Sequence, residues 1–129
     1  MQAYNSLETA LTLTERLIDV LNPAFGPFVR EDARATLENI QASGTLIVRP
    51  HGLIGGSIGS SPINRTRKIA YERVFYAEKG FRGLIKEFEN WAAKNGAEAV
   101  VISCFSLRVA KIYGALGYER AESYYIKDL

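Results

Sequence analysis

Residues 68–104 change hydrophobic period twice, and that change restricts the fold more than any other feature of the chain. The run KIAYERVFYA at 68–77 is dense in aromatic and β-branched residues, which predicts a long central strand. Leu84, Ile85, Phe88, Trp91 and Ala92 then recur at helical spacing, so residues 84–94 should form a helix with one apolar face. Asn95-Gly96 stops that helix. The unbroken apolar run at 99–104 suits a strand buried on both faces. A strand, a helix and a strand joined this tightly should make a parallel pair with a right-handed crossover.

The remaining elements are arranged around this unit. Leu7, Ala10, Leu11, Leu17, Ile18 and Leu21 lie on one face of a first helix, and Asn5 with Glu8 has capping-box spacing at its start. Asn22-Pro23 ends it. A second helix is expected over 31–41, with Ala33, Leu37 and Ile40 on one side and Gly44 after its end. Residues 45–49 and 53–59 read as a hairpin around His51-Gly52, and 60–67 as a polar loop. Val109, Ile112, Tyr113 and Leu116 mark a last helix stopped by Gly117, and 118–127 should carry a final strand. The expected class is α/β (α+β), in the order α-α-β-β-β-α-β-α-β, as one domain over 1–129 with no repeat and no linker.

Composition narrows the function. With 47% apolar and 23% charged residues, the chain is ordinary for a globular protein, which argues against disorder. Sixteen basic against 14 acidic residues leave a net charge of +2, too balanced to suggest a nucleic-acid partner. A single Cys excludes a disulfide framework and fits a reducing compartment, and a single His leaves little room for a His-based metal site. No signal segment or membrane-length apolar run is visible, so a cytoplasmic location without membrane attachment is expected.

The segment from Ser106 to Tyr118, SLRVAKIYGALGY, resembles the Asn-x-x-Ala-x-x-x-Tyr-x-x-Leu-Gly-Phe signature of the GNAT superfamily of N-acetyltransferases. Ser106 stands at the Asn position, Val109 at Ala and Tyr113 at Tyr, and Leu116-Gly117-Tyr118 matches the ending. The segment WAAKNGA at 91–97, followed by an apolar strand, matches what precedes it. The resemblance covers roughly 45–129 and is to small, single-domain members of bacterial or viral type, which for a viral member means the host cytoplasm. It implies a mixed, mostly antiparallel central sheet flanked by helices. It also implies acetyl transfer from acetyl-CoA to a primary amine by direct attack in a ternary complex, with no metal.

The same resemblance implies site residues. The pantetheine arm of acetyl-CoA should lie where strand 68–77 splays from strand 99–104, against Phe75, Tyr76 and Ala77. Unpaired backbone amides there can be satisfied by the amides of the arm. The family's Arg/Gln-x-x-Gly-x-Gly/Ala diphosphate loop is represented here only by Glu78-Lys79-Gly80-Phe81-Arg82-Gly83-Leu84, a shortened form. Free N–H groups of the following helix would receive the diphosphate, helped by Lys79 and Arg82, with Gly80, Gly83 and Leu84 close by. Set against this, a glycine pair alone is more often the mark of a simple turn. Tyr113 corresponds to the general acid that protonates the departing thiolate, although its spacing alone fits core packing better. Glu72, a charge in mid-strand, is the candidate base, with a plain salt bridge as the competing reading.

Ser106 would contact the cofactor arm or simply cap its helix. Cys104 reads as an inert thiol, because no His partner accompanies it. Arg65, Arg67 and Lys68 read as a solvated basic run that could attract the CoA 3′-phosphate. Tyr124-Tyr125 would line the acceptor cleft or a homodimer interface. The alternative to an enzyme is a catalytically degenerate GNAT-like fold acting as a binding or structural protein, since fold alone does not fix function.

Overall fold

The computed structural model describes residues 2–21, 26–104, 106–121, 125 and 127–129, with only the backbone described for 2–6 and 18–21. Four helices and four strands follow one another as α1 (Gln2–Leu21), α2 (Arg30–Ser43), β1 (Thr45–Arg49), β2 (Gly52–Ser61), β3 (Asn64–Ala77), α3 (Phe81–Lys94), β4 (Ala99–Val101) and α4 (Leu107–Ala115). The sheet order is β1-β2-β3-β4. The first three strands are antiparallel, and β4 joins β3 in parallel. The mixed, mostly antiparallel sheet with flanking helices is the one expected.

The helices cover the two faces of the sheet. Leu84, Ile85, Phe88 and Ala92 of α3 and Val109 and Tyr113 of α4 pack on Ile54, Ala70 and Phe75. Ala10, Leu11, Leu13 and Leu17 of α1 and Leu37 and Ile40 of α2 pack on Leu53 and Val74. Ala70 and Phe75 share one face although their spacing is odd. A register shift between Gly55 and Gly56 explains this, because Gly55 pairs with Val74 and Gly56 with Glu72. Arg73 is therefore the extra residue of a β-bulge, and the alternation of β3 inverts across it.

Several boundaries differ from expectation. Helix α1 begins at Gln2, so Asn5 lies inside it rather than capping it. Helix α3 begins at Phe81, three residues before Leu84, which leaves only 78–80 between β3 and the helix. Most of the expected loop at 60–67 is strand, and the β2–β3 turn shrinks to Pro62-Ile63. Polarity misleads there because, among the described residues, no helix covers that end of the ribbon, so its faces do not need apolar residues. The strand at 99–104 stops at Val101, and Val101, Ser103 and Cys104 are exposed rather than buried on both faces. Residues 118–121 form no strand, while 122–124 and 126, including Tyr124, lie outside the described residues.

A candidate active site at a fork in the sheet

Strands β3 and β4 pair only at Ile69–Ala99, Ala70–Val100 and Tyr71–Val101. Beyond Tyr71, β3 runs on to Ala77 with β2 on one side and, among the described residues, no strand on the other. The sheet thus forks at Glu72.

Hydrogen bonds at either end of β3 show which backbone groups face the fork. Lys68 bonds toward β4 through both its groups. Its N–H donates to Glu98 Oε1 (3.1 Å), and its C=O accepts from the Glu98 N–H (2.8 Å). By the period of two, Ala70 and Glu72 face the same way. At the other end the Glu78 N–H donates to the His51 carbonyl at 2.7 Å, on the β2 side. Counting back from Glu78, Tyr76 and Val74 face β2, whereas Ala77 and Phe75 face the fork. Of the three residues expected to border a cofactor, Phe75 and Ala77 offer backbone groups. The Tyr76 backbone turns to β2, its ring packs on the α1–α2 side, and its hydroxyl donates to Glu78 Oε2 (3.3 Å).

At the apex, a carboxylate takes over from the ladder. Glu72 Oε1 accepts from the Ser103 N–H (2.8 Å) and from Ser103 Oγ (2.6 Å). Tyr113, reaching in from α4, donates its hydroxyl to the Ser103 carbonyl (2.8 Å). Ser103 thus joins the two candidate catalytic residues. Sequence reasoning missed it, although it is the one hydroxyl in the run AVVISCF. Burial raises the Glu72 pKa from its ordinary value, and the two Ser103 bonds oppose that rise. Burial also raises the Tyr113 phenol far above its usual range, reinforced by the charges of Glu72, Cys104 and Tyr118. The phenol therefore stays protonated.

An aromatic row walls the α3–α4 side of the fork. Phe75 lies 4.8 Å from Phe81, Phe81 lies 5.9 Å from Tyr113, and Tyr113 lies 5.7 Å from Tyr118, centroid to centroid. The Tyr118 hydroxyl donates to Glu89 Oε2 (2.8 Å), tying the row to α3.

The start of α3 closes the open end of the fork. Gly80 is its N-cap with φ 72°, a left-handed conformation that glycine adopts without strain, and no side chain caps the helix. A helix start leaves the N–H groups of its first turn without intrahelical partners, here those of Phe81, Arg82 and Gly83. Gly83 sits in that first turn, not in a loop, and a Cβ on it would meet nothing within 4 Å. Lys79 and Arg82 are exposed beside it. Leu84 stands apart, because its N–H donates to the Gly80 carbonyl (3.0 Å) and its side chain is buried in the core. The loop is braced from α1, where Arg16 pairs with Glu78 at 2.8 Å.

At the other helix, Ser106 caps α4 by accepting from the Val109 N–H (3.2 Å). Cys104 is exposed, with its Sγ directed at the Ser106 carbonyl (3.1 Å). Tyr125 is exposed. Among the described residues no three His, Cys, Asp or Glu side chains cluster as metal ligands, and no helix is long and apolar enough to cross a membrane.

Solved structures share this architecture. An acetyl transferase assignment is carried by a Pyrococcus furiosus protein with 19% identity over 97% of this chain and 95% of that one, TM-score 0.71. The aminoglycoside N-acetyltransferase AAC(6')-Iy, solved with the bisubstrate analogue CoA-S-monomethyl-acetylneamine, shares 19% identity over 97% and 93%, TM-score 0.69. A Trypanosoma brucei acetyltransferase shares 16% over 97% and 94%, TM-score 0.67. No protein-family model matches the chain, and no curated protein sequence does. The fold is that of the GNAT-type acetyltransferases.

Proposed function

We propose that residues 1–129 form a single acetyl-CoA-dependent N-acetyltransferase domain that acts on a primary amine by direct attack in a ternary complex. The observation that carries this reading is the fork, with the backbones of Phe75 and Ala77 turned into it and Glu72 and Tyr113 joined through Ser103 at its apex. An arm of alternating amides fits a strand edge that has lost its neighbour. The diphosphate would sit at the α3 start, on the first-turn N–H groups, with Lys79 and Arg82 beside it and Gly80 and Gly83 leaving room for close approach. Ser106, at the start of α4, would meet the arm near its thioester end.

The chemistry follows from the apex. An ammonium must lose a proton before its nitrogen can attack the thioester carbonyl carbon. A carboxylate whose pKa is raised by burial is a better base than an exposed one, and Glu72 has this property. As the new C–N bond forms, the nitrogen gives up its second proton to water to become a neutral amide, the C–S bond breaks and its electron pair goes to sulfur. Tyr113, kept protonated, turns its O–H from the Ser103 carbonyl to that thiolate. Titration calorimetry with acetyl-CoA tests the reading. Saturable binding is expected, with Arg82→Ala weakening it. No binding at millimolar concentration would overturn the enzyme assignment in favour of a non-catalytic fold.

A further inference from the structure

The apex of the fork treats the two oxygens of the Glu72 carboxylate differently. Oε1 accepts twice from one residue, from the Ser103 N–H (2.8 Å) and from Ser103 Oγ (2.6 Å). Oε2 accepts no hydrogen bond among the described residues, and it is not a buried orphan either. An unpartnered oxygen of a half-buried residue must then touch solvent, so Oε2 is the open side of the carboxylate.

That asymmetry decides where a proton can go. When a carboxylate takes a proton, one oxygen becomes a hydroxyl and the other stays a carbonyl-type acceptor. Protonation at Oε1 would set the new O–H against two donors already aimed at that oxygen. Protonation at Oε2 leaves both Ser103 bonds in place, because Oε1 still accepts. The carboxyl therefore need not turn, or lose its anchor, when it changes charge. Ser103 holds the acid as well, since its carbonyl accepts from the Tyr113 hydroxyl (2.8 Å). Its side chain serves Glu72 alone, whereas its backbone serves both residues.

We infer that Ser103 is a positioning residue, whose hydroxyl fixes Glu72 through Oε1 and makes Oε2 the oxygen that receives the proton. In the reaction proposed above, an ammonium gives a proton to Oε2 and the electron pair of that N–H bond stays on nitrogen. The carboxyl later returns the proton to water. The inference rests on the acetyltransferase reading for the identity of the proton donor, and on the hydrogen bonds alone for the anchor.

The other groups around Glu72 leave this role to Ser103. Gly56 opposes it on β2, and the Phe88 ring of α3 lies beside Gly56; neither carries a charge. The Tyr113 phenol approaches from α4 and stays protonated. Cys104 and Tyr118 act on Tyr113, and Glu89 acts on Tyr118. Arg73, next along β3, is exposed to water, which screens it. Burial raises the Glu72 carboxyl, and of the two bonds that oppose this the Oγ bond contributes more.

Two readouts test the inference, one of them without turnover. The first follows the Glu72 carboxyl carbon by NMR through a pH titration of the full chain, carrying isotope-labelled glutamate, with Glu72→Gln assigning the signal. Ser103→Ala keeps the N–H bond and loses the Oγ bond, so the carboxyl should titrate about one pH unit higher than in wild type. Ser103→Thr restores a hydroxyl and should bring the midpoint back. Ser103 is exposed, so neither variant opens or overfills the core. The second readout is release of CoA from acetyl-CoA with glycinamide as the amine. The acid limb of kcat/KM should move upward with the NMR midpoint, so Ser103→Ala loses about tenfold below the limb and little above it. An unmoved midpoint in Ser103→Ala, or no recovery in Ser103→Thr, would overturn the proposal. So would a loss of equal size at every pH, the pattern of a residue that only supports the fold. A shifted midpoint in a protein that binds no acetyl-CoA would keep the Ser103 anchor and remove the transferase reading.

Discussion

Gly56→Ala should be among the most damaging single-methyl additions in this protein. Gly56 lies opposite Glu72, at the register shift that creates the fork. A Cβ there would sit 2.1 Å from the Tyr71 carbonyl oxygen and 2.9 Å from Phe88 Cζ. The first contact falls about 0.9 Å short of the 3.0 Å below which Cβ contacts do not occur. Tyr71 is backbone, paired to Gly56's neighbour Ser57 on one side and to Val101 on the other, so it cannot swing aside as a side-chain tip could. Overpacking of this kind costs roughly 1–3 kcal/mol, and a clash with paired backbone belongs at the upper end. In a chain of this size that corresponds to a loss of about 10 °C in Tm. Gly59→Ala, on the same strand, is the control. Its Cβ would meet only the Tyr71 ring, at 3.5 Å, an ordinary contact. It should stay within about 0.5 kcal/mol of wild type, since replacing glycine at a tolerant site also reduces the entropy of the unfolded chain. Urea unfolding of the three proteins decides the matter. Equal stability of Gly56→Ala and Gly59→Ala would show that the tight packing at the register shift is not real.

Three further expectations concern the fork. Tyr113→Phe should lower turnover while leaving acetyl-CoA affinity nearly unchanged, because the hydroxyl acts on the departing sulfur; steady-state kinetics and calorimetry separate the two, and unchanged turnover would remove Tyr113 from the acid role. Glu72→Gln should gain stability relative to wild type as pH rises from 4 to 7. The folded-state pKa of Glu72 is raised, so its stabilising contribution is complete below the unfolded-state pKa and is lost as pH climbs through the folded-state value; urea titrations at both pH values should show the gap moving in that direction and not the reverse. Arg82→Ala should weaken acetyl-CoA binding more at low salt than at high salt, where screening has already reduced the charge contribution, and calorimetry at two salt concentrations should show converging affinities.

What could be read in advance depended on how local its cause was. The apolar face of α3 was legible because Leu84, Ile85, Phe88 and Ala92 obey helical spacing and are buried as that spacing requires. Ser106 read as an N-cap, and it caps α4. The lengths of β3 and β4 were not legible. The ribbon at 64–67 is polar because no helix among the described residues packs there, which resembles a loop in composition. The apolar run at 99–104 looked like a strand buried on both faces, but its second half leaves the sheet. Ser103 has no local signature, because its partners Glu72 and Tyr113 lie 31 and 10 residues away in the chain. The bulge at Arg73 was hidden for the same reason, since it depends on Gly55 and Gly56 across the hairpin.

That bulge accounts for the geometry of the fork more economically than any other feature. In a regular strand of this sequence, Val74 and Tyr76 would continue the edge and the face begun by Ala70 and Glu72. The Phe75 ring would then point toward α1 and α2, and the stack of Phe75, Phe81 and Tyr113 could not form. With Arg73 bulged out, Phe75 and Ala77 take that edge and face instead. The same inversion therefore does two things at once. It supplies an aromatic wall that brings α4 and the Tyr113 hydroxyl to the apex, and it turns two unpaired peptide groups into the gap beside that wall. Glu72, immediately before the bulge, keeps the orientation of the regular segment and reaches across to Ser103, where the next rung of the β3–β4 ladder would have formed. A carboxylate at this point holds the diverging chains at side-chain distance rather than backbone distance. Its position is thus explained by the fork itself, and any proton transfer it performs is added to that structural role.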